Sequence, residues 1–261
     1  MIISVVNNKG GVLKTTLSTN LASCLSLKKK KVMLIDLDGQ GNVVATFGKN
    51  PYNLKNTVVD YLKGEIDLKS IIIKEKPFLD IIPSNDQINY FDILLNKNLI
   101  NISSLKNLLF ELNKIYDYVI IDTPPNMSTI VAIVLSISDV VLIPFEPDQY
   151  AILGLKRIVD ASKDFMIKNG KEIKIIAIPT KVNNRVTIHN EIINDIIKPK
   201  LSQQDVYISK NFISSSTKST SSVGYEKVPI VFSIIKSKYQ NEYFLLTDEI
   251  LEKISENKNG K

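Results

Sequence analysis

Ile3-Ser-Val-Val-Asn-Asn-Lys-Gly-Gly-Val-Leu-Lys-Thr-Thr16 is the stretch that decides how the rest of the chain reads. An apolar run (Ile2, Ile3, Val5, Val6) ends in Gly10-Gly11. Lys14, Thr15 and Thr16 follow, and a helical stretch continues to about Leu27. A buried strand feeding a glycine-rich turn and a helix N-terminus suits a polyphosphate, because backbone N–H groups converge there and the helix dipole favours negative charge. In such a loop Lys14 reaches the β- and γ-phosphates, and Thr15, the hydroxyl immediately after it, ligates Mg²⁺. Gly10, Gly11, Val12, Leu13, Lys14, Thr15 and Thr16 are therefore the candidate nucleotide-binding residues of the loop.

The strict pattern G-x-x-x-x-G-K-[ST] nevertheless fails, since its glycine positions fall on Asn8 and Leu13. The stretch fits a variant, K-G-G-x-x-K-[ST], with an additional lysine at Lys9. A bulky residue forced to positive φ at position 13 would cost about 1–2 kcal/mol, so either the loop keeps a negative φ there or it carries strain.

Outward from the loop, apolar runs alternate with helical patterns. Val32–Ile35 reads as a buried parallel strand ending in Asp36-Leu-Asp-Gly-Gln-Gly-Asn42, with acidic and amide groups at the edge where open α/β sheets bind ligands. Thr57–Lys63 reads as a short helix stopped by Gly64, and Leu79–Pro83 as a strand. Residues 86–115 carry Leu105, Leu108, Leu109, Leu112 and Ile115 at helical spacing. Tyr118–Asp122 is another buried strand, and a turn at Pro124-Pro125 follows it. Ser128–Ser136 is a helix and Val140–Pro144 a strand. A long helix then runs through about Lys168 to Asn169-Gly170. Ile173–Ile178 is a further strand closed by Pro179-Thr180. Residues 214–223 read as a hydroxyl-rich surface loop, and Glu242–Glu256 as a closing helix with one apolar stripe and an acidic polar face. The pattern predicts an α/β fold in one domain spanning 1–261: a doubly wound, mostly parallel sheet flanked by helices, of the P-loop NTPase type.

The chain has 261 residues and a mean composition ordinary for a globular protein, with 44% hydrophobic and 23% charged residues. Its net charge of +6 and pI near 9.1 favour an anionic partner. Lysine supplies nearly all of the basic charge; Arg157 and Arg185 are its arginines. Lys28–Lys31 reads as a solvated helix end. Cys24 alone makes no internal disulfide and reads as a small buried side chain. His189, the single histidine, has no evident partner for metal or general-base chemistry. No apolar run reaches membrane-spanning length and no signal peptide precedes the first strand, so a cytoplasmic protein is expected.

The loop variant, D-x-D-G-Q-G-N at 36–42, the strand and turn at 118–125 and the segment 139–155 together resemble the deviant Walker A ATPases of the ParA/MinD group. The resemblance is nearest to the short chromosome- and plasmid-partitioning ParA (Soj) proteins. It covers Met1 to about Ile254, with Gly39 in place of the family's proline and Leu13 in place of its glycine. It implies ATP and Mg²⁺ as cofactors, Asp122 as the Walker B aspartate behind the metal, and Asp38 as the residue that orients the attacking water, with Asp36 structural. Lys9 would reach across a nucleotide-sandwich homodimer to the partner's ATP. The adenine pocket would involve Thr180 and Pro229, and Val228–Phe232 would be the last core strand. Lys236 and Lys238 match the family's Arg-Ser-Arg and, with Lys210, are the candidate contacts to nonspecific double-stranded DNA. A ParB-like centromere-binding protein would stimulate hydrolysis, and the protein would be associated with the nucleoid. A MinD-like membrane ATPase is the alternative, disfavoured by the acidic closing helix. An iron-protein reductase would need more cysteines than Cys24.

Overall fold

Strands buried on both faces must alternate their side chains between two helix layers, and the β-branched runs of this chain do so. In β1 (Ile2–Val5), Ile2 joins one core and Ile3 and Val5 the other; in β2 (Val32–Asp36), Met33 and Ile35 join the first and Val32 and Leu34 the second. A computed structural model describes residues 1–148, 151–183, 191–202, 204–216 and 221–256. Its remaining strands are β3 (Ile73–Lys76), β4 (Leu79–Ile82), β5 (Tyr118–Asp122), β6 (Val140–Phe145), β7 (Lys174–Val182), β8 (Val206–Ile208) and β9 (Ile213–Ser214). They form one sheet in the order β3-β4-β2-β5-β1-β6-β7-β8, with β9 beside β7. Every pairing is parallel except that of β3 with β4. The mostly parallel, doubly wound sheet expected from the sequence is thus present.

The helices are α1 (Lys14–Leu27), α2 (Asn42–Thr46), α3 (Val58–Leu62), α4 (Phe91–Asn96), α5 (Ile102–Ile115), α6 (Thr129–Ile137), α7 (Ala151–Asn169), α8 (Lys198–Ser202) and α9 (Lys238–Glu256). Helices α1, α2 and α9 cover one face, and α3 to α8 the other. Helix α1 is buried almost throughout although it carries Ser18, Thr19, Asn20, Ser23 and Ser26. Each of those side chains has a hydrogen-bond partner; Ser23 Oγ, for example, donates to Thr19 O at 2.7 Å. Buried polar groups satisfied in this way avoid the desolvation cost that would otherwise exclude them.

Three sequence expectations change. Val228–Phe232 is not a strand: Pro229 caps a 3₁₀ turn at Ile230–Phe232, packed between α1 and α9. The Val231 N–H goes to Asn20 Oδ1 and its carbonyl to Gln240, so neither joins a ladder. Strand β7 does not close at Pro179-Thr180 but continues to Val182, because β6 runs beside it to Phe145 and β9 pairs with Thr180 and Val182. Helix α9 starts at Lys238, where Ser237 O accepts the N–H groups of Gln240 and Asn241.

Candidate functional site

The loop after β1 is fixed from below. The Val6 N–H bonds Leu142 O, Asn7 Nδ2 donates to Pro144 O at 2.6 Å, and Asn7 Oδ1 accepts the Lys9 N–H at 2.9 Å. Gly11 sits at φ +75° and Leu13 at φ +66°, the left-handed region. The loop therefore carries strain at Leu13, of about 1–2 kcal/mol. Leu13 O accepts the Leu17 N–H at 2.8 Å and so opens α1. No side chain caps that helix and its first turn holds no acid. The first N–H groups of α1 thus meet the conditions for receiving an anion.

Lys14 is buried, and its Nζ donates to Lys9 O at 3.2 Å. Burial lowers its pKa, opposed by the charges of Asp122 and Asp38. A desolvated cation at the mouth of uncapped N–H groups fits a polyphosphate. Asp122 ends β5 beside Asp36 at the end of β2. Its two oxygens accept Thr15 Oγ1 at 2.6 Å and Ser18 Oγ at 2.9 Å. Burial pushes the Asp122 carboxyl up to about 6, against the two hydroxyls and Lys14. No cluster of His, Cys, Asp or Glu able to hold a metal by itself occurs among the described residues. Mg²⁺ beside phosphates needs only one or two protein oxygens, and Thr15 with Asp122 behind it are the residues that could supply them.

Asp36 is wholly buried, accepts the N–H groups of Asp38 at 2.9 Å and Val43 at 3.1 Å, and holds the 37–43 loop in place. Burial raises its pKa, and the Asp122 charge adds to the rise. Asp38 is partly exposed, and its Oδ1 accepts the Gln40 N–H at 3.1 Å. It makes a local turn and also faces a cleft of about 680 Å³ that contains Gly10, Gly11, Leu13, Lys14, Thr15 and Thr16 in its wall. At Gly39, where the family has proline, a Cβ would stand 2.4 Å from the side-chain amide of Asn89, which would have to turn aside.

The other expected residues lie around this cleft. Lys9 is half-exposed and ion-paired with Asp148, whose hydrogen bond raises the lysine pKa. Val12 is buried, and its carbonyl accepts Thr180 Oγ1 at 3.2 Å. Thr180 is itself fully buried behind the loop, and Pro229 caps the 3₁₀ turn; neither is part of the cleft wall. Lys210 is exposed while its backbone N–H bonds Glu249. Lys236 and Lys238 are exposed where α9 begins, with Lys238 Nζ 5.0 Å from the Tyr239 ring centroid. Tyr150 and His189 lie outside the described residues.

Sequence reasoning missed Lys181, Ser18 and the far wall of the cleft. Lys181 Nζ faces the loop, 3.9 Å from the Cβ position of Gly11, and pairs with Glu146 at 3.4 Å. Reading a strand end at Pro179 hid it, although a lysine at a strand's C-terminal edge is a signal of its own. Ser18 lies one helical turn after Lys14, a spacing that puts both over the same strand end. The far wall includes Ser214, Ser215, Ser216 and Val223, from the stretch read as surface loop, with Gly224 beside it and Tyr243 of α9.

The AAA domain family matches residues 1–175. A ParA family protein of Mycoplasma genitalium is 46% identical over 263 residues, covering 96% of this chain and 97% of that protein. Among solved structures, a plasmid partition protein from Borrelia burgdorferi bound to AMPPNP aligns with a TM-score of 0.77 at 26% identity, over 97% of this chain and 98% of the other. Cobyrinic acid a,c-diamide synthase from Mycobacterium smegmatis shares the fold, with a TM-score of 0.81 at 23% identity over 96% and 94% of the two chains. Likeness of this extent, running through the loop and both strand-end aspartates, settles the family: the chain belongs to the ParA group of deviant Walker A partition ATPases.

Proposed function

We propose that the protein hydrolyses ATP to drive DNA partition, as a dimer closed over two nucleotides. The observation that carries this reading is the juxtaposition, in one cleft, of an uncapped α1, desolvated Lys14 and the Thr15–Asp122 pair. Phosphoryl transfer to water needs positioning and charge balance more than covalent chemistry. The loop N–H groups and Lys14 hold the triphosphate, and Thr15 backed by Asp122 would hold Mg²⁺. Bound Mg²⁺ would neutralise charge on the β- and γ-phosphates. Asp38 accepts a hydrogen bond from the attacking water and orients it toward the γ-phosphorus. Water adds there as the bond to the β-phosphate oxygen breaks, giving ADP and phosphate.

Lys9 has a separate task. Its pair with Asp148 is solvent-exposed, and such pairs contribute about 0–1 kcal/mol. Exchanging Asp148 for a triphosphate on a second copy therefore costs little, which suits a lysine acting in trans. The closed dimer would hold double-stranded DNA through Lys236, Lys238 and Lys210 without reading sequence. A ParB-like partner would accelerate hydrolysis, and the protein would reside on the nucleoid.

ATP-dependent DNA binding across a salt series tests this, with Lys9→Ala as the dimerisation control. Binding that requires ATP and falls steeply with salt is expected, and binding indifferent to ATP contradicts it. Phosphate release separates enzyme from passive binder: Asp38→Ala should abolish turnover while still binding ATP. A membrane-cycling ATPase has one observation in its favour, the exposed Ile234 and Ile235 beside Lys236. Co-sedimentation with anionic liposomes in ATP, without any DNA gel shift, would select that reading. No described helix is long and apolar enough to cross a membrane.

A further inference from the structure

We propose that two buried amides outside the cleft, Asn20 and Gln240, are positioning residues that bridge the phosphate-loop helix to the Lys236–Lys238 segment, so that nucleotide occupancy sets the position of those lysines. The proposal rests on reading the cleft as the nucleotide site.

The bridge is continuous, each link a direct hydrogen bond. Thr16, in the cleft wall, gives its carbonyl to Asn20 Nδ2 at 2.8 Å. Asn20 Oδ1 accepts the Val231 N–H at 3.1 Å. Val231 O accepts Gln240 Nε2 at 2.8 Å, and the same nitrogen donates to Ser233 O at 3.3 Å. Asn20 is 1% exposed and Gln240 2%. Burying an amide costs free energy that a leucine would not, unless each half finds a partner. Here both halves of Asn20 and both donors of Gln240 are used; Asn20 joins α1 to a turn 211 residues further along the chain, and Gln240 ties that turn to the start of α9. Such bonds fix registry between elements.

A second tie comes from the opposite wall. Glu226 follows Val223 and Gly224 of the cleft. Its Oε1 accepts Ser233 Oγ at 2.8 Å and its Oε2 accepts the Ile234 N–H at 3.0 Å. Both walls of the cleft therefore fasten on Ser233 and Ile234, immediately before the lysines. Beyond that point Ile234 and Ile235 are 88% and 67% exposed, and Lys236 and Lys238 are exposed as well. The segment is anchored at its base to the cleft and open at its tip, an arrangement that presents cations to an anionic surface in a geometry the cleft dictates. Any adjustment of α1 to a bound triphosphate is passed through Asn20 to the turn at Val231 and on to Ser233.

Hydrogen–deuterium exchange on the full chain tests this, with AMPPNP and Mg²⁺ against ADP and Mg²⁺. In the wild type, AMPPNP should slow exchange at 233–238 by about tenfold relative to ADP, a 1.4 kcal/mol difference, together with protection of 9–16. In Gln240→Met, which keeps the volume and removes both donors, protection of 9–16 should remain and that of 233–238 should fall to the part that Glu226 carries. An undiminished 233–238 effect in Gln240→Met overturns the bridge. So does a wild-type response confined to 9–16, a comparison that needs no variant to fold. A DNA gel shift on the same samples keeps the two readings apart. A segment that responds to AMPPNP in a protein that binds no DNA supports the bridge and defeats the partition reading. Absence of protection at 9–16 removes the nucleotide site and the bridge with it.

Discussion

Leu13 occupies φ +66° where a glycine would rest without strain, and its side chain packs at the margin of the core shared by α1 and α9. Replacing it by glycine relieves about 1–2 kcal/mol of backbone strain. The exchange also adds about 0.5–1 kcal/mol of chain entropy to lose on folding and removes apolar contacts. Leu13→Gly should therefore leave stability in urea nearly unchanged and ATP affinity within about tenfold, since the loop binds through its backbone. A larger change in an ATP titration would show that the side chain itself shapes the site. Cys24 offers a second residue-scale check. It is fully buried, and burial pushes its thiol up to about 12. Ellman's reagent should leave it unmodified in the native protein and react once urea unfolds the chain.

Local spacing made Lys14 and Thr15 legible, because a strand, a tight loop and a helix start place them by covalent connection alone; Asp122 was legible as the aspartate closing an apolar strand, which pairs with β1. Lys181 was hidden by Pro179, a residue that usually ends a strand. Nothing in the sequence marks Asn20, whose partner Val231 is 211 residues away, or Gln240, which bonds a turn that read as a strand.

Among the elements, α9 keeps its expected apolar stripe. Two of its acidic residues, read only as part of a polar face, bond the segment 207–214, and one of them reaches Ser214 in the cleft wall. Glu242 accepts the Ser214 N–H at 2.9 Å and its hydroxyl at 2.7 Å. Glu249 accepts the Tyr207 hydroxyl at 2.6 Å and the N–H groups of Lys210 at 2.6 Å and Asn211 at 2.9 Å. An apolar stripe with acids beside it looks the same whether those acids meet water or backbone N–H groups, so periodicity could not separate the cases. Burial acts to raise the Glu249 pKa, but these donors outweigh it and hold the carboxyl below its ordinary value. A carboxylate with a depressed folded pKa contributes stability above its unfolded pKa, about 4.3, and loses it as pH falls through the folded value. Glu249→Gln should destabilise the protein by about 1–3 kcal/mol at pH 7. The gap should narrow below about pH 4, read from urea midpoints at both pH values. An undiminished gap in acid would show that the glutamate acts by shape and not by charge. The 3₁₀ turn at Ile230–Phe232 teaches the same lesson from the other side, because a β-branched run became a turn once Asn20 and Gln240 took its backbone groups.

At the scale of the whole molecule, the doubly wound, mostly parallel sheet between two helix layers followed from the alternation of strands and helices, whereas the order of the strands came only from the structure. The net charge of +6 did not reveal where DNA would lie. If the lysines at the start of α9 contact phosphates, Lys236→Ala and Lys238→Ala should each weaken binding equally for unrelated DNA sequences. Each should also lower the salt slope of log K by about 1. An unchanged slope would place the DNA surface elsewhere.

Two copies closing over their nucleotides, with Lys9 crossing between them, lie at the centre of the proposed mechanism. Sedimentation velocity of Asp38→Ala with saturating ATP and Mg²⁺ tests that most directly, because blocked turnover should trap the closed state. A dimer that forms with ATP, is absent with ADP and is lost when Lys9→Ala is added to the variant is the predicted result. A monomer in ATP, under conditions where nucleotide is demonstrably bound, would contradict it.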